Sequence, residues 1–420
     1  MGRWRWLQPG LHLKRWVLVI CVGIVLLVAG AMALTVGVLL TAEAATIPPN
    51  TAKRGGAILV AAGAALVFTG VYRLVRRIER LLKKEGESRT LSEIAWQTNR
   101  LARGPRIVCL GGGTGLSTML SGLKEHTAEL TAVVSVADDG GSSGRLRLDF
   151  DVLPPGDIRN CLVALADAEP VMAEVMRYRF EEGEFAGHSF GNLLIAVLAR
   201  IRGDFGDAVR EANRILSVRG RVLAATLDKI SLVATHSDGT KTTGQRLIAQ
   251  CGKPISTLEL KPSPAAPPRD VLEAIAAADM VVLGPGSLYT SILPILLDRA
   301  VVAEINRSHG QVVFVVNTMG QVGETGDFTV SKHIRELRRH APGLRLDYIL
   351  INNYHPSPPR LEALAQKGVR LTEYDAEEVA TFGARVMLRD LIDVDQPMRH
   401  DPRKLAKALM EIAENARQPG

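Results

Sequence analysis

Cysteine is scarce in this chain: four residues in 420, at positions 21, 109, 161 and 251, with no C-x-x-C pair. That excludes a disulfide framework and fits buried thiols in a reducing compartment. The nine histidines show no HExxH or comparable ligand spacing, so no haem, zinc or iron–sulfur centre is expected. Nothing reads GxxxxGK[ST], which removes the Walker A class of nucleotide enzymes. Internal repeats and long low-complexity tracts are also missing. A basic, nucleic-acid-binding body is excluded by where the charge lies. The formal charge is +7, yet residues 1–105 hold 15 Lys/Arg against 5 acids, while residues 106–420 hold 36 against 39. The high isoelectric point therefore belongs to the N-terminal segment alone.

That segment carries the long hydrophobic runs. Trp16 to Ala42 has no charge over 27 positions, about 40 Å as a helix and enough to cross a bilayer. Gly55 to Tyr72 is a second uncharged run of 18 residues, with Glu43 to Arg54 as a polar turn between them. A cleaved signal peptide is the competing reading, since Ala42-Glu43-Ala44 resembles a cleavage site. The first run is too long for a signal core, and a second span follows it. Arg3, Arg5, Lys14 and Arg15 precede the first run; Arg73, Arg76, Arg77, Arg80, Lys83 and Lys84 follow the second. The connecting turn holds only Lys53 and Arg54, so both termini are expected in the cytoplasm. The expectation is a multi-pass protein of the cytoplasmic membrane with its soluble domain inside. Val71, Leu74, Val75, Ile78, Leu81 and Leu82 recur at helical spacing, which extends the second helix as a basic juxtamembrane stretch to about residue 84. Thr90-Leu91-Ser92-Glu93 looks like a capping box for a linker helix within 85–105.

The chemistry is concentrated in residues 106–420. A short apolar run, Arg106 to Leu110, ends in Gly111-Gly112-Gly113-Thr114-Gly115 and passes directly into a helical pattern. A second run, Ala132 to Ala137, ends in Asp138-Asp139 and another glycine–serine loop. Strand, glycine loop, helix, strand and acidic tip are the opening of a nucleotide-binding α/β domain. Glycines admit an anion to the backbone, and the helix N-terminus adds partial positive charge. The acids stand about 25 residues on, near the usual offset for a ribose-binding carboxylate. Leu116 takes the place of the last glycine of a dinucleotide fingerprint, so a tight turn that binds nothing is the bland alternative. Met280 to Leu283, followed by Gly284-Pro285-Gly286-Ser287, repeats the logic and offers a second anion loop. With Val312–Val316 and Leu346–Ile351, these runs alternate with helical patterns and predict a Rossmann-like, mainly parallel sheet covered by helices on both faces. Ser231–Thr235 and Lys241–Thr243 flank Ser237-Asp238-Gly239, a hairpin signal.

Gly187-His188-Ser189-Phe190-Gly191 satisfies G-x-S-x-G. A nucleophile elbow needs a buried strand before the serine, and Glu181-Glu182-Gly183-Glu184 is not one. The better reading is a helix N-terminus where His188, Ser189 and Asn192 face a polar ligand.

GGGTGLS, VADDGGSSGRLR, PPGDIRNCLVALA, GHSFGNLL, LGPGSLYTSILP, NTMGQVGETGDFT and RHDPRKLA occur in this order from Gly111 to Ala406. Together they resemble the YvcK family of gluconeogenesis factors, within the CofD-like superfamily. The resemblance implies a UDP-sugar ligand such as UDP-N-acetylglucosamine, and a role in cell shape and envelope synthesis during gluconeogenic growth. Carried onto this chain, it implies a ligand site at Gly111, Gly112, Gly113, Thr114, Gly115, Ser117, Asp138, Asp139, Arg145, Asp157, Asn160, His188, Ser189, Asn192, Gly284, Gly286, Ser287, Tyr289 and Arg399. CofD enzymes transfer a phospholactyl group to a deazaflavin precursor with magnesium, which gives the alternative: a transferase with Mg²⁺ on Asp138 and Asp139. Aromatics are only 5% of the chain, and no deazaflavin pocket is evident. Ala224-Ala225, Ile295 and Phe328 depart from the family pattern, and the membrane hairpin is an addition to it. A nucleotide-sugar and the membrane are the expected partners. Self-association is left open, and the envelope-synthesis proteins it would meet are unnamed.

Overall fold

The computed structural model describes residues 13–39, 49–82, 91–167, 170–366, 368–393 and 399–417. Arg3, Arg5, Lys83, Lys84 and Thr90 lie outside the described residues. The chain divides into two compact units, Met1–Thr98 and Asn99–Gly420.

The first unit is built on helices α1 (Leu13–Leu39) and α2 (Pro49–Leu82). Their apolar stretches, Arg15–Thr35 and Lys53–Arg76, have mean hydropathies of 3.0 and 2.0. Helix α2 starts at Pro49, inside the 43–54 stretch expected as a polar turn; proline's fixed φ suits a first helical turn. The helix runs unbroken to Leu82, so the juxtamembrane extension is one piece with the second apolar stretch. Gly23 and Gly30 of α1 meet Gly63 and Gly56 of α2, which makes the pair antiparallel. A Cβ at Gly23 would stand 2.9 Å from the Gly63 carbonyl oxygen, and one at Gly63 2.7 Å from that of Gly23. Leu18, Val25, Ile58 and Phe68 point outward and are exposed. Small residues inside with large apolar ones outside invert the pattern of a helix pair made for water.

Helix α3 (Leu91–Ala102) begins in the first unit and ends in the second, which continues with strand β1 (Ile107–Gly111). Then come α4 (Gly113–Leu123), β2 (Leu130–Val134), α5 (Gly141–Phe150), α6 (Gly156–Leu165), α7 (Pro170–Arg177), α8 (Phe190–Arg202), α9 (Phe205–Ile215) and β3 (Arg221–Ala224). An excursion follows: β4 (Ser231–His236), β5 (Lys241–Thr243), α10 (Gln245–Cys251) and β6 (Ile255–Lys261). Strands β7 (Met280–Leu283), β8 (Gln311–Val315), β9 (Tyr348–Asn352) and β10 (Arg385–Arg389) complete the set. The main sheet has seven strands in the order β10-β9-β8-β7-β1-β2-β3, all parallel. The protein is thus a Rossmann-like α/β fold. Strands β1, β2 and β7 are buried along their whole length; covered on both faces, they read as continuous apolar runs instead of alternating ones.

The excursion forms a separate antiparallel sheet, β5-β4-β6. Its β4–β5 hairpin turns at Ser237-Asp238-Gly239, where the Asp238 carboxylate accepts the Thr240 N–H at 2.9 Å.

The chain reverses direction at β1. Going through β2 and β3 it builds one side of the sheet; from β7 onward it builds the other. Between β1 and β7 lies the switch point where open α/β sheets leave a crevice beyond the strand ends. The C-terminal helix, Pro402–Arg417, closes one flank by laying Leu405, Ala406, Leu409 and Ile412 into the core. It crosses α4 at Gly122, where a Cβ would stand 1.9 Å from the Pro402 carbonyl oxygen. Gly122→Ala should therefore push this helix off α4 and destabilise the protein by about 1–3 kcal/mol. Urea unfolding with the wild-type midpoint would contradict the packing.

Candidate functional site

Two loops leave neighbouring strands at the switch point and face each other. The first begins as β1 ends at Gly111. Gly113 has φ +66°, a backbone that side chains resist, and α4 starts there. The second loop, after β7, runs through Gly284, Pro285, Gly286 and Ser287 into a wide helical turn, Leu288–Ile292. Ser287 caps that turn by accepting the Thr290 N–H at 3.1 Å. The loops touch: a Cβ at Gly115 would be 2.7 Å from the Pro285 carbonyl oxygen. Asn317, just past β8, clasps the second loop through both backbone groups of Gly286, Nδ2 to oxygen at 2.7 Å and Oδ1 from N–H at 3.2 Å.

Between the loops is a cavity of about 510 Å³, within the range of small-molecule sites. Gly112, Gly113, Thr114, Gly115, Asp138, Asp157, Gly286, Ser287 and Arg399 line it, as sequence reasoning expected of them. Thr118, Gln245, Asn317, Thr318 and His400 also line it and were not singled out. Asn317 lies in a motif recognised from the sequence, and a polar loop directly after a buried strand was the signal that could have found it.

Electrically the cavity wall is unusual. Asp157, in the first turn of α6, is buried against the glycine loop, and a Cβ at Gly112 would come within 2.6 Å of its Oδ2. Burial first, and then the charge of Asp138, push the Asp157 carboxyl up to about 6, against the Gly113 N–H and Arg159, which favour its charged form. Burial pulls the His400 imidazole down to about 4, although the Val316 carbonyl accepts from it. His400 is therefore neutral near pH 7, and its Nε2 has no hydrogen-bond partner. Beneath Ser287, burial raises Glu324 while the hydroxyls of Ser287 and Thr290 donate to it and pull the other way.

Several expected site residues do other work. Asp139 does not line the cavity; its carboxylate accepts the Arg246 N–H at 2.9 Å, which fixes the start of α10 and so places Gln245. Tyr289 is turned away, donating to Glu336 at 3.0 Å. Ser117 bonds back to the Thr114 carbonyl at 3.1 Å. Gly111 and Gly284 shape the strand ends without lining the cavity. Arg145, Asn160, His188, Ser189 and Asn192 gather instead around the N-terminus of α8. Ser189 is its cap, which fits the helix-start reading of G-x-S-x-G. Ile295, one of the family departures, is buried core; Phe328 stacks edge-on against Tyr289.

Asp157 gives a pH signature with a definite sign. Its folded value, about 6, lies above the ordinary 3.8 of an aspartate, so the folded state holds this proton more tightly than the unfolded one. Stability contributed by the site therefore falls as pH rises from about 4 to 6 and is level above. Asp157→Asn removes that loss, worth up to about 3 kcal/mol at 1.36 kcal/mol per pKa unit, less what the Gly113 N–H loses in its partner. The ligand-free variant should melt above wild type at pH 8 and level with it at pH 4. A variant less stable at pH 8 would show that the charged form is the one the fold favours.

Known proteins resemble this chain along most of its length. The family model described as 2-phospho-L-lactate transferase CofD matches residues 107–392. A relative from Nostoc sp. (strain PCC 7120) is 40% identical over 431 residues, covering 98% of this chain and 93% of its own. The similarity thus runs through the N-terminal helices, which are not peculiar to this protein. The gluconeogenesis factor of Bacillus subtilis is 39% identical and covers 73% of this chain and 98% of its own. The crystal structure of a Bacillus halodurans protein superposes with a TM-score of 0.71 at 40% identity, over 73% of this chain and all of that one. A second crystal structure, titled as a member of the UPF0052 family, gives 0.71 at 39%, covering 73% and 99%. The chain belongs to the gluconeogenesis-factor (YvcK/UPF0052) family of CofD-like proteins.

Proposed function

We propose that this protein is a membrane-tethered, UDP-sugar-binding regulator of envelope synthesis and cell shape during gluconeogenic growth. The observation that carries the reading is the cavity lined by both glycine loops. Backbone N–H groups at the start of α4, beyond Gly113 whose N–H meets Asp157, suit the phosphates of a nucleotide diphosphate. Asp138 offers a carboxylate to ribose hydroxyls, and Arg399 a guanidinium to a phosphate or the sugar. UDP-N-acetylglucosamine is the ligand we expect. The hairpin supports tethering: its glycines face inward, its bulky apolar residues outward, and basic residues stand outside both apolar stretches.

A specific observation keeps the transferase alternative in view. Asp138 and Asp157 share one wall, close enough for the charge of one to raise the pKa of the other. Hard oxygen donors beside a diphosphate fit Mg²⁺, which is held by one or two carboxylates together with substrate phosphates. Asp138 and Asp157 would hold the ion; Asp139, engaged at α10, would not. When bound, the metal would offset phosphate charge. Turnover of a nucleotide-linked substrate separates this alternative from pure binding.

The full chain in detergent should bind UDP-N-acetylglucosamine and gain about 2.7 kcal/mol at a hundredfold excess over Kd. Asp138→Asn should weaken binding and leave the ligand-free protein folded, melting at or above wild type at pH 8 because a charge that raises Asp157 is gone. Calorimetry showing no binding of any nucleotide or nucleotide-sugar ends the proposal. For topology, a reporter active only outside the cytoplasm, fused after Gly420, should stay silent; activity there refutes the cytoplasmic orientation.

A further inference from the structure

Cations do not belong at the N-terminus of a helix, where the aligned peptide dipoles already leave positive charge. Helix α8, 13 residues long, has a group of them there. Arg159 donates through Nη1 to the capping hydroxyl of Ser189 at 2.6 Å and through Nη2 to Asn160 at 2.6 Å. Arg179 donates to the Gly187 carbonyl at 2.5 Å, and Arg145 to that of Ala186 at 3.0 Å. All three thus hold the short loop that leads into α8, and Arg177 ends the helix before it. Among the described residues none of these four guanidiniums pairs with a carboxylate, although Glu181, Glu182 and Glu184 sit in the same loop.

Their mutual repulsion is visible. Burial first, then Arg179, lower the Arg159 pKa, with Arg177 adding to the effect; Asp157 opposes it. Burial first, then Arg145 and Arg179, lower that of His188, with Asp149 opposing. Two buried polar atoms here are also unpartnered. One is Arg159 Nε; the other is Oδ1 of Asn192, a residue only 2% exposed in the first turn of α8. Asn192 Nδ2 donates to Ser142 Oγ at 3.1 Å, which meets His188 Nδ1 at 3.1 Å. Turning the amide over would leave the NH₂ unpartnered instead, so one atom wants a partner in either orientation. Repulsive cations, a helix start and unpartnered buried groups make one arrangement that an anion with hydroxyl or ester oxygens would satisfy.

We propose that Arg145, Arg159 and Arg179, at the N-terminus of α8, form a second anion site that takes the phosphoryl group of a small molecule. It is distinct from the glycine-loop cavity: none of the three arginines lines that cavity, and α6 separates the two by presenting Asp157 to one and Arg159 to the other. A tetrahedral phosphoryl group suits it better than a carboxylate, because three guanidiniums approach from different segments. The site stands on its own geometry and does not need the cavity to take a nucleotide-sugar.

Inorganic phosphate and pyrophosphate are the probes, titrated calorimetrically into the full chain in detergent at constant ionic strength. Binding is expected with and without saturating UDP-N-acetylglucosamine. Arg159→Gln and Arg179→Gln should each weaken it by about tenfold or more, as loss of a charge-assisted hydrogen bond does, with Arg179→Lys retaining part of it. If Arg159→Gln fails to fold, the exposed Arg179 carries the comparison. Arg179→Gln should bind UDP-N-acetylglucosamine as wild type does, which keeps failure of this site distinguishable from failure of the cavity reading. Three results would each overturn the proposal. These are no phosphate binding, binding unchanged in both variants, and displacement of phosphate by UDP-N-acetylglucosamine, which would put the anion in the glycine loop.

Discussion

The seat of β1 between β2 and β7 is the constraint on which everything else in the α/β unit rests. Its five residues pair in parallel on both sides, and every one is buried. A strand so enclosed has no room for a polar side chain, so chemistry can begin only where it ends. The neighbouring β7 is enclosed in the same way. Both therefore deliver their loops to one edge of the sheet, and the crevice between them follows from strand order before any ligand is considered. Asn317 and the C-terminal helix then secure what the strand order opened, the first by holding Gly286 and the second by bringing Arg399 and His400 to the cavity.

Buried charge is arranged against stability on both sides of α6. Asp157 is forced close to Asp138 and away from water, and Arg159 is set among other arginines at a positive helix end. Neither is placed where a fold optimised only for stability would put it, since an unpaired buried charge costs several kcal/mol in typical cases. Such conflicts gather at sites that bind or react. Here two of them stand back to back on one helix, two positions apart and so on opposite faces.

The N-terminal hairpin follows a different physics. Two apolar helices joined through glycines approach closely at the backbone, the kind of contact that holds helices together where lipid gives them no hydrophobic reason to join. Glycines at 23 and 30, and at 56, 63 and 70, recur every seven residues and allow that approach. Seen only as a hydropathy profile, the segment could be a signal sequence or a buried core pair. What the fold adds is glycines facing inward and bulky apolar residues facing outward, on two helices long and apolar enough to cross a membrane.

The sequence by itself determined the elements whose signal is local. Continuous apolar runs marked the central strands, since burial on both faces forbids alternation. The glycine run after Leu110 marked a loop opening a helix, Gly187 to Gly191 a helix start, and Ser237-Asp238-Gly239 the hairpin turn. Ordered motifs from Gly111 to Ala406 gave the family and, through it, the fold class. Only the tertiary structure decided how the candidate residues divide. Asp138 and Asp139 are adjacent in the chain, yet one faces the cavity and the other caps α10, because successive side chains past a strand end point apart. Arg145, Asn160, His188, Ser189 and Asn192 share motifs with the cavity residues but meet one another around α8. Asn317, Gln245 and His400 reach the cavity from three distant segments. Local pattern fixes which residues can do chemistry; the packing of α6, α8 and the C-terminal helix, set by contacts far apart in sequence, fixes which of them do it together.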